Sequence, residues 1–196
     1  MKEVILNIPT TFETDRLILR SYLPGDGKWF YPMCLKNRHH LMRFESDNII
    51  MEVNTKEQAD NILLELAEAW KNGEYFFACA FDKMTNIFVA QIFFKTINPD
   101  LPEYEIGYFA EKDHEGQGYV TKAVTAALEF VFGYLKAHRV RAECDDTNIR
   151  SIRVADRCGM LMEGHIRENK KDSNGTYCGT MYFGILDNEF NKRALS

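Results

Sequence analysis

The 196-residue chain has no Cys-x-x-Cys pair, no long hydrophobic run and no surplus of positive charge, and each absence removes a class of function. Its five cysteines, Cys34, Cys79, Cys144, Cys158 and Cys178, are odd in number and widely spaced. Neither a disulfide framework nor a zinc site is expected from them. His39 and His40 are adjacent rather than four apart, so they do not share a helical face and no metal centre is expected there. The short apolar stretch within residues 1–10 stops at Pro9, too early for a signal-peptide core or a membrane span, and a cytoplasmic protein is expected. A formal charge of −5 argues against the broad basic field of a general nucleic-acid binder. Gly-Lys-Ser/Thr is missing after the glycines, which excludes a Walker-type phosphate loop. No repeat, linker or low-complexity tract interrupts the chain.

What the chain has is 45% hydrophobic and 13% aromatic residues, enough at this length for one packed domain spanning residues 1–196. Residues 14–22 alternate, with Leu17 and Leu19 opposite Arg16, Ile18 and Arg20, as a half-buried strand does. Pro24-Gly25-Asp26-Gly27 breaks the chain, and residues 28–37 read as a short helix through Trp29, Phe30, Met33 and Cys34. Residues 38–54 show no clear pattern. Thr55-Lys56-Glu57-Gln58 has the form of a capping box and opens a helix that should end at Gly73. Two aromatic and β-branched runs, 75–81 and 87–96, are joined by a hairpin loop at 82–86, and 104–110 is a further strand. Val120, Val124, Leu128, Val131 and Leu135 then recur at helical spacing, widened by Ala123, Ala127 and Phe130, so this helix is largely buried. A strand at 139–144, a short helix at 149–158 stopped by Gly159, a strand at 160–167, a polar turn at 170–175 and a closing β-run at 176–186 complete the order. Strands and helices so interleaved predict a mixed α/β (α+β) layer structure.

Glu115-Gly116-Gln117-Gly118-Tyr119-Val120-Thr121 lies between the strand ending at Ala110 and the long helix. The first amides of a helix have no partner within it, and glycines let a ligand approach the backbone, so this turn is an anion cradle. A Gly-x-Gly helix start is common by itself, which keeps a purely structural reading open. A dinucleotide-binding unit is another reading, with Glu143 placed to meet a ribose hydroxyl. Thr121 then stands where a third glycine belongs, and too few residues remain for a doubly wound sheet.

Five motifs in order bear on the choice: Thr14-Asp15-Arg16-Leu17-Ile18-Leu19-Arg20, Glu105-Ile106-Gly107-Tyr108, the glycine turn, Asn148-x-x-Ser151, and Cys158-Gly159-Met160 followed by Glu163-Gly164. From about residue 11 to residue 186 they resemble the GNAT superfamily of acetyl-coenzyme A-dependent N-acetyltransferases, most of all its ribosomal-protein N-terminal (RimJ/RimL-like) branch. The resemblance implies a twisted mixed central sheet flanked by helices, acetyl-CoA as co-substrate, and direct attack by a primary amine in a ternary complex. The amine belongs to a protein N-terminus or to a small molecule; a non-catalytic acyl-CoA-binding module is the alternative. The chain departs from the superfamily pattern in carrying Glu115 for Gln or Arg, Val120 for Gly or Ala, and Lys122 where relatives often have Glu.

Each chemical need then has a candidate. By the resemblance, the turn backbone at Gly116, Gln117, Gly118, Val120 and Thr121 takes the pyrophosphate, and Tyr108, Phe109 and Ala110 pair with the pantetheine arm. Ser151 occupies the position whose hydroxyl protonates the departing thiolate, and Asn148 caps the helix, contacts the cofactor, or does both. A primary amine is mostly protonated at neutral pH, so a base is needed. Glu105 is the first candidate. The branch's own base position falls on Lys170, with Glu168 two residues away, and His114 is a third choice. Exposed edge strands in the C-terminal β-run leave a homodimer open.

Overall fold

The computed structural model describes residues 8–172 and 174–194. Most of the N-terminal apolar run and Ser173 of the polar turn lie outside the described residues. The strands are β1 (Thr11–Glu13), β2 (Leu17–Ser21), β3 (Tyr75–Asp82), β4 (Phe88–Asn98), β5 (Glu103–Ala110), β6 (Arg139–Asp145), β7 (Leu161–Lys171) and β8 (Tyr177–Leu186). The helices are α1 (Gly27–Leu41), α2 (Lys56–Asn72), α3 (Tyr119–Gly133), α4 (Ile149–Cys158) and α5 (Asp187–Ala194). The strands form one sheet in the order β1-β2-β3-β4-β5-β6-β8-β7. All neighbours are antiparallel except β5 and β6, which run parallel with α3 as their crossover.

Helices cover both faces of the sheet because its central strands are apolar on both sides. On one face α3 buries Val124, Leu128 and Val131 against Leu17, Leu19, Ala78, Ala80 and Ile92. On the other, α1 and α2 bring Phe30, Cys34, Leu63 and Leu66 to Cys79, Phe88 and Phe109. Ala78, Cys79 and Ala80 thus alternate between two cores, as the pleat requires. The capping box forms as expected. Thr55 Oγ1 accepts from the Gln58 amide at 3.1 Å, Gln58 Oε1 accepts from the Thr55 amide at 3.1 Å, and α2 stops at Gly73 with φ of 69°. Stacking of Phe76 on Phe94 and of Phe12 on Phe130, each at 4.8 Å, ties strands and α3 together.

Three segments differ from the sequence expectation. Helix α1 runs on to Leu41, and a 3₁₀ turn at Ile49–Glu52 is capped by Asn48 Oδ1, which accepts from the Ile50 amide at 3.2 Å. Strand β7 absorbs Lys170 and Lys171, expected in the turn, because its pairing with β8 resumes past an irregularity and joins them to Cys178 and Tyr177. Beyond β8 the chain continues as α5. Its one aromatic, Phe190, stacks on Phe132 at 5.2 Å, and so short an apolar signal leaves no periodicity to read.

The feature that positions the site is the parting of β5 from β6. They pair only at Glu103–Arg139, Tyr104–Val140 and Glu105–Arg141, whereas β4 stays paired with β5 as far as Ala110. Ion pairs of Arg139 with Glu103 at 2.9 Å and of Arg141 with Glu105 at 2.8 Å hold the closed end. Past Glu105 the β6-facing edge of β5 has no strand to bond.

Candidate active site

A cleft of about 520 Å³ opens where the strands part. The end of β5 supplies Tyr108, Phe109 and Ala110; the glycine turn and the start of α3 supply Gly116, Gly118, Val120 and Thr121. Helix α4 and its cap contribute Ser151 and Asn148, and the loop after α1 contributes Arg43, Phe44 and Glu45. The backbone groups on the free edge of β5 are available to an extended ligand, as an exposed strand edge always is.

The turn is shaped by conformation. Gly116 and Gly118 have φ of 70° and 79°, a region other residues enter at a cost of roughly 1–2 kcal/mol. Gly118 is the N-cap of α3 and brings no capping side chain, so the first helical amides keep their hydrogen-bonding capacity for an anion. Arg16 braces the turn from β2's approach. Its Nη1 donates to the Gln117 carbonyl at 3.0 Å and its guanidinium lies 3.8 Å from the Tyr119 ring centre, while Tyr119 Oη donates to Asp82 at 2.9 Å. The segment before the turn is fastened by buried Glu111, which meets Lys36 at 2.6 Å and His114 Nδ1 at 2.5 Å. Burial works to raise the Glu111 carboxyl, but its bonds to Lys36 and His114 outweigh this and hold it below the ordinary value.

Two charges that depart from the family pattern are accounted for. Glu115 is paired with Arg150 and lies 3.3 Å from His40 Nε2, so its carboxylate is not left facing the cleft alone. Lys122 is tied to Asp15 at 2.9 Å and is not part of the cleft wall. Positive charge toward the cradle comes instead from Arg150, Arg153 and Arg157 on α4. Their spacing of three and four puts them on one helical face, a periodicity already present in the sequence.

Two hydroxyls meet on the cleft wall. Asn148 Oδ1 caps α4 by accepting from the Ser151 amide at 3.2 Å, which sets the serine's place. Ser151 Oγ donates to Tyr108 Oη at 3.3 Å, and Tyr108 Oη donates to the Ser151 carbonyl at 3.1 Å. Burial pushes the Tyr108 hydroxyl well above its ordinary value, so it remains a phenol at neutral pH.

Not every expected residue comes to the cleft. The Gln117 side chain donates to the Asp113 carbonyl at 3.1 Å, and Gln117 is not among the cleft residues. Glu105 stands at the closed end, between Arg141 at 2.8 Å and Lys95 at 3.7 Å, outside the cleft wall. Glu168 is exposed on β7, at φ of 52° where the pairing with β8 slips, and is not among the cleft residues. Lys170 lies 3.6 Å from Asp145. His114, the third choice, does line the cleft. So does Glu45, which sequence reasoning missed. It lies in the stretch without periodicity and accepts from Asn48 Nδ2 at 3.3 Å. Burial pushes its carboxyl up to about 7 despite that bond, with Asp47 adding to the rise.

Among the described residues no group of His, Cys, Asp or Glu could hold a metal ion, and no helix is long and apolar enough to cross a membrane.

Residues 16–161 match the acetyltransferase (GNAT) domain, which sets the class of protein that this sheet and cleft define. The chain belongs to the GNAT acetyltransferase family. It is 36% identical over 94 residues to the probable N-acetyltransferase YjcK of Bacillus subtilis, covering 48% of this chain and 51% of that protein. To the uncharacterized protein YkkB of the same organism it is 31% identical over 178 residues, covering 85% and 94%. The chain thus spans about half the length of YjcK and nearly all of YkkB. Among solved structures it is similar to RimL, a ribosomal L7/L12 α-N-protein acetyltransferase in complex with coenzyme A. The TM-score is 0.77 at 20% identity, covering 91% of this chain and 97% of that one, a likeness of fold.

Proposed function

We propose that the protein is a single-domain cytoplasmic N-acetyltransferase that moves an acetyl group from acetyl-CoA to a primary amine. The observation that carries this reading is the cleft itself. Free helix amides at a glycine turn, an arginine row, an unpaired strand edge and a hydroxyl pair converge on one opening. The turn from Gly116 to Thr121 and the arginines of α4 suit a pyrophosphate, which needs donors and positive charge together. The free edge of β5 from Tyr108 to Ala110 suits the amides of a pantetheine arm, which pair with it as an added strand does. An acetyl thioester at the end of that arm then lies beside Tyr108 and Ser151.

The amine attacks the thioester carbonyl; a C–N bond forms and the C–S bond breaks. Ser151 Oγ, held by Tyr108, gives its proton to the departing sulfur, and the proton that nitrogen sheds on becoming an amide restores the serine hydroxyl. Holding both reactants in one cleft supplies most of the rate, and the hydroxyls supply the proton at the right moment. The five cysteines, none in a disulfide, suit a reducing compartment.

For the acceptor we favour a protein α-amine, as RimL's description names for that enzyme, over a small-molecule amine. A second copy of the chain on the β7 edge is part of the proposal, supported by Leu161, Met162 and Ile166, each at least half exposed there. Sedimentation of the protein tests the dimer. Free-thiol release from acetyl-CoA over a panel of N-terminal peptides and small amines tests the reaction. Release with peptides supports the reading, release only with small amines moves the acceptor, and cofactor binding without release favours the binding module.

A further inference from the structure

We propose that the carboxylate of Glu45 is the base that takes the proton from the acceptor's ammonium group. This rests on the acetyl-transfer reading above. Of the bases expected from the sequence, Glu105 and Glu168 lie outside the cleft wall, and His114, which lines it, is held by Glu111; the carboxylates near the turn are engaged too, Glu115 with Arg150 and Glu111 with Lys36 and His114. Glu45 differs from both. Among the described residues it forms no ion pair, and its hydrogen bond comes from neutral Asn48. It shares the cleft wall with Tyr108 and Ser151, and its charge bears on the Tyr108 hydroxyl. A carboxylate on the same cleft wall as the hydroxyl pair, and within electrostatic reach of it, is placed to take a proton from an amine bound there.

The chemistry agrees. With its carboxyl at about 7, Glu45 is substantially ionised at neutral pH, yet binds a proton far better than an ordinary glutamate. An α-ammonium, ordinarily at about 7.7–8.0, gives up its proton to such a base at a cost of roughly tenfold; a lysine ammonium near 10.4 does so at more than about a thousandfold. Arg43 and Asp47 flank Glu45 on its own loop and His40 comes from the end of α1; Tyr108 comes from β5, His114 and Glu115 from the segment before the turn, and Arg150, Arg153 and Arg157 from α4. In the step, one ammonium proton passes to Glu45 and later to solvent. The second proton lost by nitrogen balances the one that sulfur takes from Ser151.

The test compares the unaltered protein with Glu45→Gln and Glu45→Asp. Glu45→Gln keeps an oxygen for Asn48 and should fold. At about pH 7 it should lower kcat/KM for a peptide α-amine by roughly 10²-fold or more, and the deficit should shrink above the acceptor's own pKa. Glu45→Asp should restore part of the rate, and the melting shift with acetyl-CoA should be the same in all three. Without any ligand, the Glu45 carboxyl carbon should titrate by NMR with a midpoint of about 7. A Glu45→Gln rate within about twofold of wild type, or an ordinary carboxylate midpoint near about 4.3, overturns the base while leaving transfer intact. A wild-type protein that binds acetyl-CoA and acetylates no amine overturns the transfer reading and this assignment with it.

Discussion

Replacing Glu45 by glutamine makes a prediction about stability that needs no substrate. The Glu45 carboxyl rises from 4.5 to about 7 because burial penalises its charged form. Between those values the folded chain holds a proton that the unfolded chain has released. The contribution of Glu45 to stability is therefore fully present below 4.5 and is lost as pH rises through about 7. Two and a half pH units at ~1.36 kcal/mol each set a ceiling of about 3 kcal/mol. Solvent reaching a carboxyl at the cleft wall lowers this to roughly 1–2 kcal/mol. The amide that Glu45→Gln introduces has the same shape and no charge to bury, so the variant should match wild type at about pH 4 and exceed it by this amount at about pH 8. At this chain length that is roughly 2–8 °C in Tm. Calorimetric melting of both proteins across the range gives the difference directly, and other titrating groups cancel. A difference that stays flat with pH, or a variant that is the less stable at high pH, would refute the buried-carboxyl argument.

Gly118→Ala tests the cradle. The added Cβ meets no atom within 4 Å, so its cost is backbone strain at φ of 79°, about 1–2 kcal/mol, and acetyl-CoA affinity should fall as the helix amides shift. Comparing melting midpoints with and without acetyl-CoA separates the two effects. Arg150→Ala should leave Tm nearly unchanged, since the side chain is exposed, but weaken acetyl-CoA binding about tenfold by removing its own charge and freeing that of Glu115. Adding Glu115→Gln should recover the part of that loss due to the freed Glu115 charge but not the part due to Arg150's own charge, and no recovery in a binding titration would contradict the pairing. Ser151→Ala and Tyr108→Phe should each lower kcat by ~10²-fold with acetyl-CoA affinity retained, and unchanged steady-state rates would remove the hydroxyl pair from the reaction.

The parts of this fold with strong local chemistry were legible in the sequence. The capping box at Thr55 and Gln58, the stop at Gly73 and the buried stripe of α3 all depend on neighbours within a few residues, and they stand where expected. The glycine turn was readable for the same reason: positive φ at Gly116 and Gly118 is a local demand. What the turn faces is set at long range. Whether Glu115 opposes an anion depends on Arg150, which comes from another element, and Glu105 reads as a base only until Arg141 and Lys95 are seen to hold it. Glu45 was hidden because its loop has no periodicity, and its unusual carboxyl comes from burial, which a sequence without pattern does not reveal. Helix α5 was missed because Phe190 is the one aromatic that anchors it to α3.

The proposed acetyl transfer requires that the cleft between β5 and β6 hold acetyl-CoA. Calorimetric titration of acetyl-CoA into the protein, with coenzyme A and NAD as comparisons, tests it most directly. Saturable binding of acetyl-CoA and coenzyme A, weakened by Gly118→Ala and by added salt and absent with NAD, is the result predicted. No heat and no melting shift with either coenzyme A species, or binding that ignores changes at Gly118 and Arg150, would contradict it.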